Sequence, residues 1–136
     1  MRRQFVNQAK RTIVVGDLHG CYDELTELLS GIGFGPNDRL VAVGDLITKG
    51  PKNRAVLDLF ISDERFSSVL GNQDLALLRL WRGDKLKPSS ALERTSRELE
   101  SDHERYESYL QSLPLMVDLG SHVVVHAGVR PGIRAR

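Results

Sequence analysis

The chain has 136 residues, 40% of them hydrophobic, with 19 basic and 18 acidic side chains and a formal net charge of +1. That length and apolar content suit one domain, residues 1–136, with a core of its own. Acids and bases are interleaved, which argues for no nucleic-acid surface and no membrane patch, and the lone Cys21 excludes an internal disulfide framework. The basic opening from Met1 to Lys10 lacks the apolar centre of a signal peptide, and no later run is long enough to cross a bilayer, so the expectation is a soluble cytoplasmic protein.

The β-branched run Arg11 to Val15 reads as a buried strand that breaks at Gly16. Leu25, Leu28, Leu29 and Ile32 then recur at helical spacing until Gly31, Gly33 and Gly35 end the helix. Asp38 to Val43 repeats the strand and closes on Gly44-Asp45; Pro51 and Asn53 suit a helix start, and Val56, Leu57, Phe60 and Ile61 mark its apolar face. A third cycle runs from Phe66 to Leu70, through Gly71-Asn72, into a helix carrying Leu75, Leu77, Leu78 and Leu80. Alternation of this kind predicts a mainly parallel sheet covered by helices, an α/β fold. Ser89 to Ser112 is rich in Glu, Arg and Ser and reads as a long, mostly exposed helix broken near Ser101-Asp102 and ended by Pro114. Leu115 to Leu119 and His122 to His126, joined at Gly120-Ser121, read as a hairpin.

Four short blocks close apolar runs: Gly16-Asp17-Leu18-His19-Gly20, Gly44-Asp45-Leu46-Ile47-Thr48-Lys49-Gly50, Gly71-Asn72-Gln73-Asp74 and His126-Ala127-Gly128. Delivered from successive strand ends onto one sheet edge, they supply Asp17, Asp45, His19, His126 and Asn72, the donor inventory of a two-metal hydrolytic site. Asp17 and His19 alternate along an extended loop and can hold one cation; Asp45 can bridge it to a second, held also by Asn72 and His126. Mixed oxygen and nitrogen donors favour Mn, Fe or Zn over calcium. Two such ions sharing a water make it hydroxide near neutral pH, a nucleophile for phosphorus.

In this order the blocks resemble the calcineurin-like metallophosphoesterases, in the flavour of the bacterial symmetrical diadenosine tetraphosphatases and related protein-phosphatase-like members, from about Thr12 to Pro131. The resemblance implies Asp17, His19, Asp45, Asn72 and His126 as ligands of two divalent ions. It also implies a β-sheet core flanked by helices, and phosphate contact from Lys49. Asp45, Gln73 and Asp74 are the candidate catalytic residues, and Lys49 and Arg130 the candidate substrate contacts. Substrates on this reading are a phosphorylated small molecule, a dinucleotide or a phosphoprotein. The first function expected is hydrolysis of phosphate esters or nucleotide anhydrides through a metal-bridging hydroxide; the second is a catalytically impaired module, or fragment, that binds metal and phosphate.

Several positions depart from the family pattern. Gln73 stands where the third block usually has a His that protonates the leaving oxygen, and an amide cannot deliver a proton. Thr48 stands where many relatives carry an Asp, and Lys49 replaces an Arg, trading a planar fork for a point charge. The sequence stops at Arg136, before the further His ligand and the C-terminal part of the family's double-sheet sandwich, so exposed apolar surface or strand edges are expected, with a homodimer as one way to complete the fold. His103 and His122 read as solvated, Cys21 as a small packed residue despite its place beside His19, Arg79 and Arg82 as surface cations, and Trp81 as a helix-packing residue.

Overall fold

In the computed structural model, which describes residues 11–127, three strands form a parallel sheet in the order β1 (Thr12–Val15), β2 (Arg39–Ala42), β3 (Phe66–Ser68). Thr12 pairs with Arg39 and Leu40 with Phe66. Two helices, α1 (Tyr22–Gly31) and α2 (Asn53–Ser62), make the crossovers, and α3 (Asn72–Arg82) leaves the end of β3. The alternation predicted from apolar periodicity is therefore present, with boundaries within a few residues.

The central strand explains why β2 reads as an unbroken apolar run. Leu40 and Ala42 face the helices and join the main core, whereas Val41 faces the other way and packs with Val69 and Val124; all three β2 residues have 0% exposure. β1 is different. Among the described residues it is an edge strand, and Val14, expected to be buried, is 48% exposed because its face looks past the hairpin into an open groove.

The charged stretch after Ser89 is helical, as its sequence predicts. It forms α4 (Ser90–Leu99), a 3-10 turn at Glu100–Asp102 and α5 (His103–Ser112), so the break falls where the sequence places it. Most of it is exposed, as expected, while Leu92, Thr95, Leu99, Tyr106 and Leu110 are at most 3% exposed and pack its inner face into the core. Sparse apolar residues at helical spacing are enough for this, since each fully buried large side chain contributes about 1.5 to 3 kcal/mol. Ser89 caps α4 by accepting the Leu92 amide at 3.1 Å.

β4 (Met116–Asp118) and β5 (Val123–Val125) form the expected antiparallel hairpin. Its turn is closed by the Leu119 amide donating to the His122 carbonyl at 2.8 Å, with Gly120 at φ 89°. The Leu70 amide donates to Pro114 O at 2.8 Å and ties the hairpin's approach to the end of β3. Between hairpin and sheet lies a groove lined by Val14, Val43 and Val123, the first and last each 48% exposed. Among the described residues no helix is long and apolar enough to cross a membrane.

Candidate metal centre

Each parallel strand delivers its block from its C-terminal end, and β5 brings His126 to the same edge. The first two loops are fastened to each other by backbone: the amides of Leu18 and His19 both donate to Asp45 O, at 3.1 and 2.8 Å, and the Gly20 amide donates to Leu46 O at 2.9 Å. Leu46 and Ile47, each with 0% exposure, sink the second loop into the core. Among the described residues four non-glycines have positive φ, and all four belong to these loops: His19 at 46°, Asp45 at 51°, Thr48 at 77° and Lys49 at 78°. Such conformations cost about 1 to 3 kcal/mol each and persist only where the surroundings over-determine them.

The five donors converge. Atoms of Asp17, His19 and Asp45 lie within 4.8 Å of one another. One oxygen of Asp45, Oδ2, sits between two imidazoles, 3.8 Å from His19 Nε2 and 3.5 Å from His126 Nε2. Asp17 lies on both sides too, its Oδ2 3.6 Å from His19 Nε2 and its Oδ1 3.8 Å from His126 Nδ1. Asn72 Oδ1 is 2.7 Å from His126 Nε2, and turning the amide over puts its nitrogen 3.0 Å from Asp45 Oδ2. Donors held on one ion at about 2.0 to 2.2 Å stand about 3 to 4 Å apart, which these separations match.

Orientation of the histidines supports the same reading. His126 Nδ1 lies 2.7 Å from Val43 O and His19 Nδ1 lies 3.2 Å from Ile47 O. Donation of Nδ1–H to a backbone carbonyl selects the neutral tautomer whose Nε2 lone pair is free, and in both residues that nitrogen faces Asp45. The donor set therefore fits a divalent metal ion.

Behind Asp45 the protein is built to hold it still. Its Oδ1 accepts the Gln73 amide at 2.8 Å, which sets the carboxylate at the positive end of α3. Gly71 at the α3 N-cap lies so close that a Cβ there would collide with the Asp45 amide and carboxylate. Asp74 has 0% exposure, and its carboxylate accepts three amides, from Asp45 at 2.9 Å, Leu46 at 3.0 Å and Gly71 at 2.9 Å. Burial pushes the Asp74 carboxyl up to about 6, against the pull of the Gly71 amide, and the Asp45 charge adds to the rise. Asp74 thus lies under the site with its oxygens committed to the backbone of Asp45, Leu46 and Gly71.

A second support was not readable in the sequence. Asn53 reads there as a helix-start residue, yet Lys52 is the N-cap of α2 and the Asn53 side chain, 1% exposed, serves the loop instead. Its Oδ1 accepts the Thr48 amide at 2.8 Å, and its Nδ2 donates to Gly50 O at 3.2 Å and Glu98 Oε1 at 2.8 Å. Glu98 also accepts the Arg54 amide at 2.9 Å. Gly50 presses on the first block, since a Cβ there would strike the His19 carbonyl. Among the described residues the buried Thr48 hydroxyl has no hydrogen-bond partner.

The remaining predicted residues sort as follows. Lys49 is exposed on the second loop. Arg130 lies outside the described residues, as do Gly128 and Val129. Arg79 and Arg82 pair with Asp84 at 3.3 and 2.6 Å. Trp81 has the packing duty expected of it, donating to Ser96 Oγ at 3.0 Å and stacking on His103 at 4.2 Å, so His103 is a packing partner more than a solvated residue. His122 is exposed. Burial and the nearby Glu24 carboxylate push the Cys21 thiol up, away from nucleophile behaviour.

Comparison with known proteins agrees with this geometry. The family model described as calcineurin-like phosphoesterase matches residues 10–134. The chain is 38% identical over 120 residues to a symmetrical bis(5'-nucleosyl)-tetraphosphatase of Neisseria gonorrhoeae, spanning 86% of this chain and 43% of that protein. It is 41% identical over 128 residues to one of Haemophilus ducreyi, spanning 88% and 46%. Among solved structures it matches a candidate diadenosine tetraphosphatase with TM-score 0.74 and 35% identity, over 90% of this chain and 52% of that one. A metallophosphoesterase from Sphaerobacter thermophilus matches with TM-score 0.59 and 25% identity, over 79% and 42%. The chain spans a little under half the length of these curated relatives. With a family match over most of its length and donors gathered at one sheet edge, this chain belongs to the calcineurin-like phosphoesterases.

Proposed function

We propose that the chain carries a two-metal phosphoesterase site acting on phosphate esters or nucleotide anhydrides. Asp17, His19 and Asp45 hold one ion, and Asp45, Asn72 and His126 the other. The observation that carries this reading is the single Asp45 oxygen lying between the Nε2 atoms of two histidines, at 3.8 and 3.5 Å, each ring fixed by a backbone carbonyl behind it. When bound, the ions polarise a phosphoryl oxygen and acidify a water. The chain's own residues orient that chemistry: Asp74 and the α3 N-terminus fix Asp45, and Lys49 offers a cation to phosphate. Gln73 offers hydrogen bonds but no proton, so substrates with good leaving groups, nucleotide anhydrides among them, are favoured over alkyl monoesters. The first ion has three protein donors on this reading, and water or a side chain from a second copy completes its shell.

The relatives named as tetraphosphatases support the anhydride preference. A second reading, metal and phosphate binding without turnover, is favoured by Gln73 and Lys49 at positions where the family pattern has His and Arg. One experiment separates the two: metal analysis of protein purified without chelator, then hydrolysis of bis-p-nitrophenyl phosphate and diadenosine tetraphosphate with Mn²⁺. Turnover that falls at least about a hundredfold in Asp45→Asn supports the enzyme, since loss of an outer-shell partner alone costs about 10 to 100-fold. Bound metal without turnover supports the binding module. Absence of metal removes both.

A further inference from the structure

The side chains lining a cleft beside the second loop are Lys49, Arg94, Arg97 and Glu98, with Gly50 and Pro51 between them. The cleft flanks the metal centre, because Gly50 packs on the His19 carbonyl. Its charge balance is unusual. The one acid, Glu98, has both oxygens turned to the protein, Oε1 taking the Asn53 amide group and Oε2 the Arg54 backbone amide. Among the described residues, the Lys49 ammonium and the Arg97 guanidinium have no ion pair or hydrogen bond, and Arg94 makes no ion pair but donates to Lys49 O at 3.3 Å. That bond brings the α4 cations to the strained loop that carries Lys49. Arg94 and Arg97 are three apart on α4, where like charges on one helix face oppose each other unless an anion lies between them.

We infer that Lys49, Arg94 and Arg97 form an anion subsite beside the metals that takes the distal phosphates of a polyphosphate chain. The proposal rests on the two-metal reading and names its substrate class: an anhydride chain long enough to reach from the metals into the cleft, as a nucleoside polyphosphate is, rather than a monoester. Guanidinium forks suit this because each can grip two oxygens of one phosphate, and successive phosphates present successive pairs. A hydrogen bond to a charged group is the stronger kind, so loss of both guanidiniums weakens polyphosphate binding by about tenfold or more.

The test is calorimetric titration of the full chain with inorganic tripolyphosphate in EDTA at low salt, so that no metal competes for the probe. Arg94→Gln with Arg97→Gln is expected to weaken binding about tenfold or more, with α4 intact because Gln is a good helix former. Lys85→Gln with Lys87→Gln removes the same charge from the loop before α4 and is expected to change affinity less than twofold. Unchanged affinity in the arginine variant, or an equal loss in the lysine variant, overturns the subsite. Mn²⁺ uptake, measured separately on the wild-type chain, reads the metal centre alone: its absence strikes the two-metal reading, while the tripolyphosphate result still decides the cleft.

Discussion

A buried carboxylate is costly unless its oxygens are hydrogen-bonded, and Asp74 meets that condition with three backbone amides from two loops. The sign of its pH effect follows from its pKa. The folded value is raised to about 6 from the ordinary 3.8 of an aspartate, so its contribution to stability is fully present below about pH 4 and is lost as pH rises through about 6. A shift of roughly two units corresponds to about 2 to 3 kcal/mol. Urea unfolding in chelator should therefore show a decline of that size between about pH 4 and pH 7 that is absent in Asp74→Asn, and an identical slope in both would refute the assignment. Position 73 gives a second prediction. Gln73→His supplies a proton donor where the side chain now has none, and monoester hydrolysis with Mn²⁺ should rise by at least about tenfold, within the reach of general acid catalysis; an unchanged rate would mean that the leaving group departs without help there. The gathering of Asp17, His19, Asp45, Asn72 and His126 at one edge was legible in the sequence because each of their four blocks closes an apolar run. Asp74 was legible only as a member of its block, since a sequence does not tell whether a carboxylate faces solvent or three amides.

The second loop shows how elements share the work of holding the site. Thr48 and Lys49 adopt left-handed backbone at 77° and 78°, and the Asn53 side chain at the start of α2 holds them there while Glu98 of α4 holds Asn53. Asn53→Ala leaves the buried Thr48 amide and one oxygen of Glu98, Oε1, without their partner, and it should destabilise the chain by about 1 to 3 kcal/mol in urea unfolding. A change under a few tenths of a kcal/mol would show that the loop holds itself. Strands and helices were read correctly from periodicity, because apolar spacing of 2 or 3.6 is a local signal. The role of α4 was not, because a charge-rich stretch with few apolar residues looks solvated until the fold sets Leu92, Thr95 and Leu99 into the core and turns Arg94 towards Lys49.

Across the whole molecule, one parallel sheet collects four blocks that are far apart in sequence, and the hairpin carries the last of them across 83 positions from Val43 to His126. The hairpin and sheet also leave a groove lined by Val14, Val43 and Val123 together with Thr12, Arg39 and Asp118, which no local sequence pattern announces. The central claim, that Asp45 bridges two cations, is tested most directly by anomalous diffraction from crystals grown with Mn²⁺. The prediction is two peaks on either side of Asp45, one beside Asp17 and His19 and the other beside Asn72 and His126. No peak at that edge, or a single ion that does not contact Asp45, would contradict it.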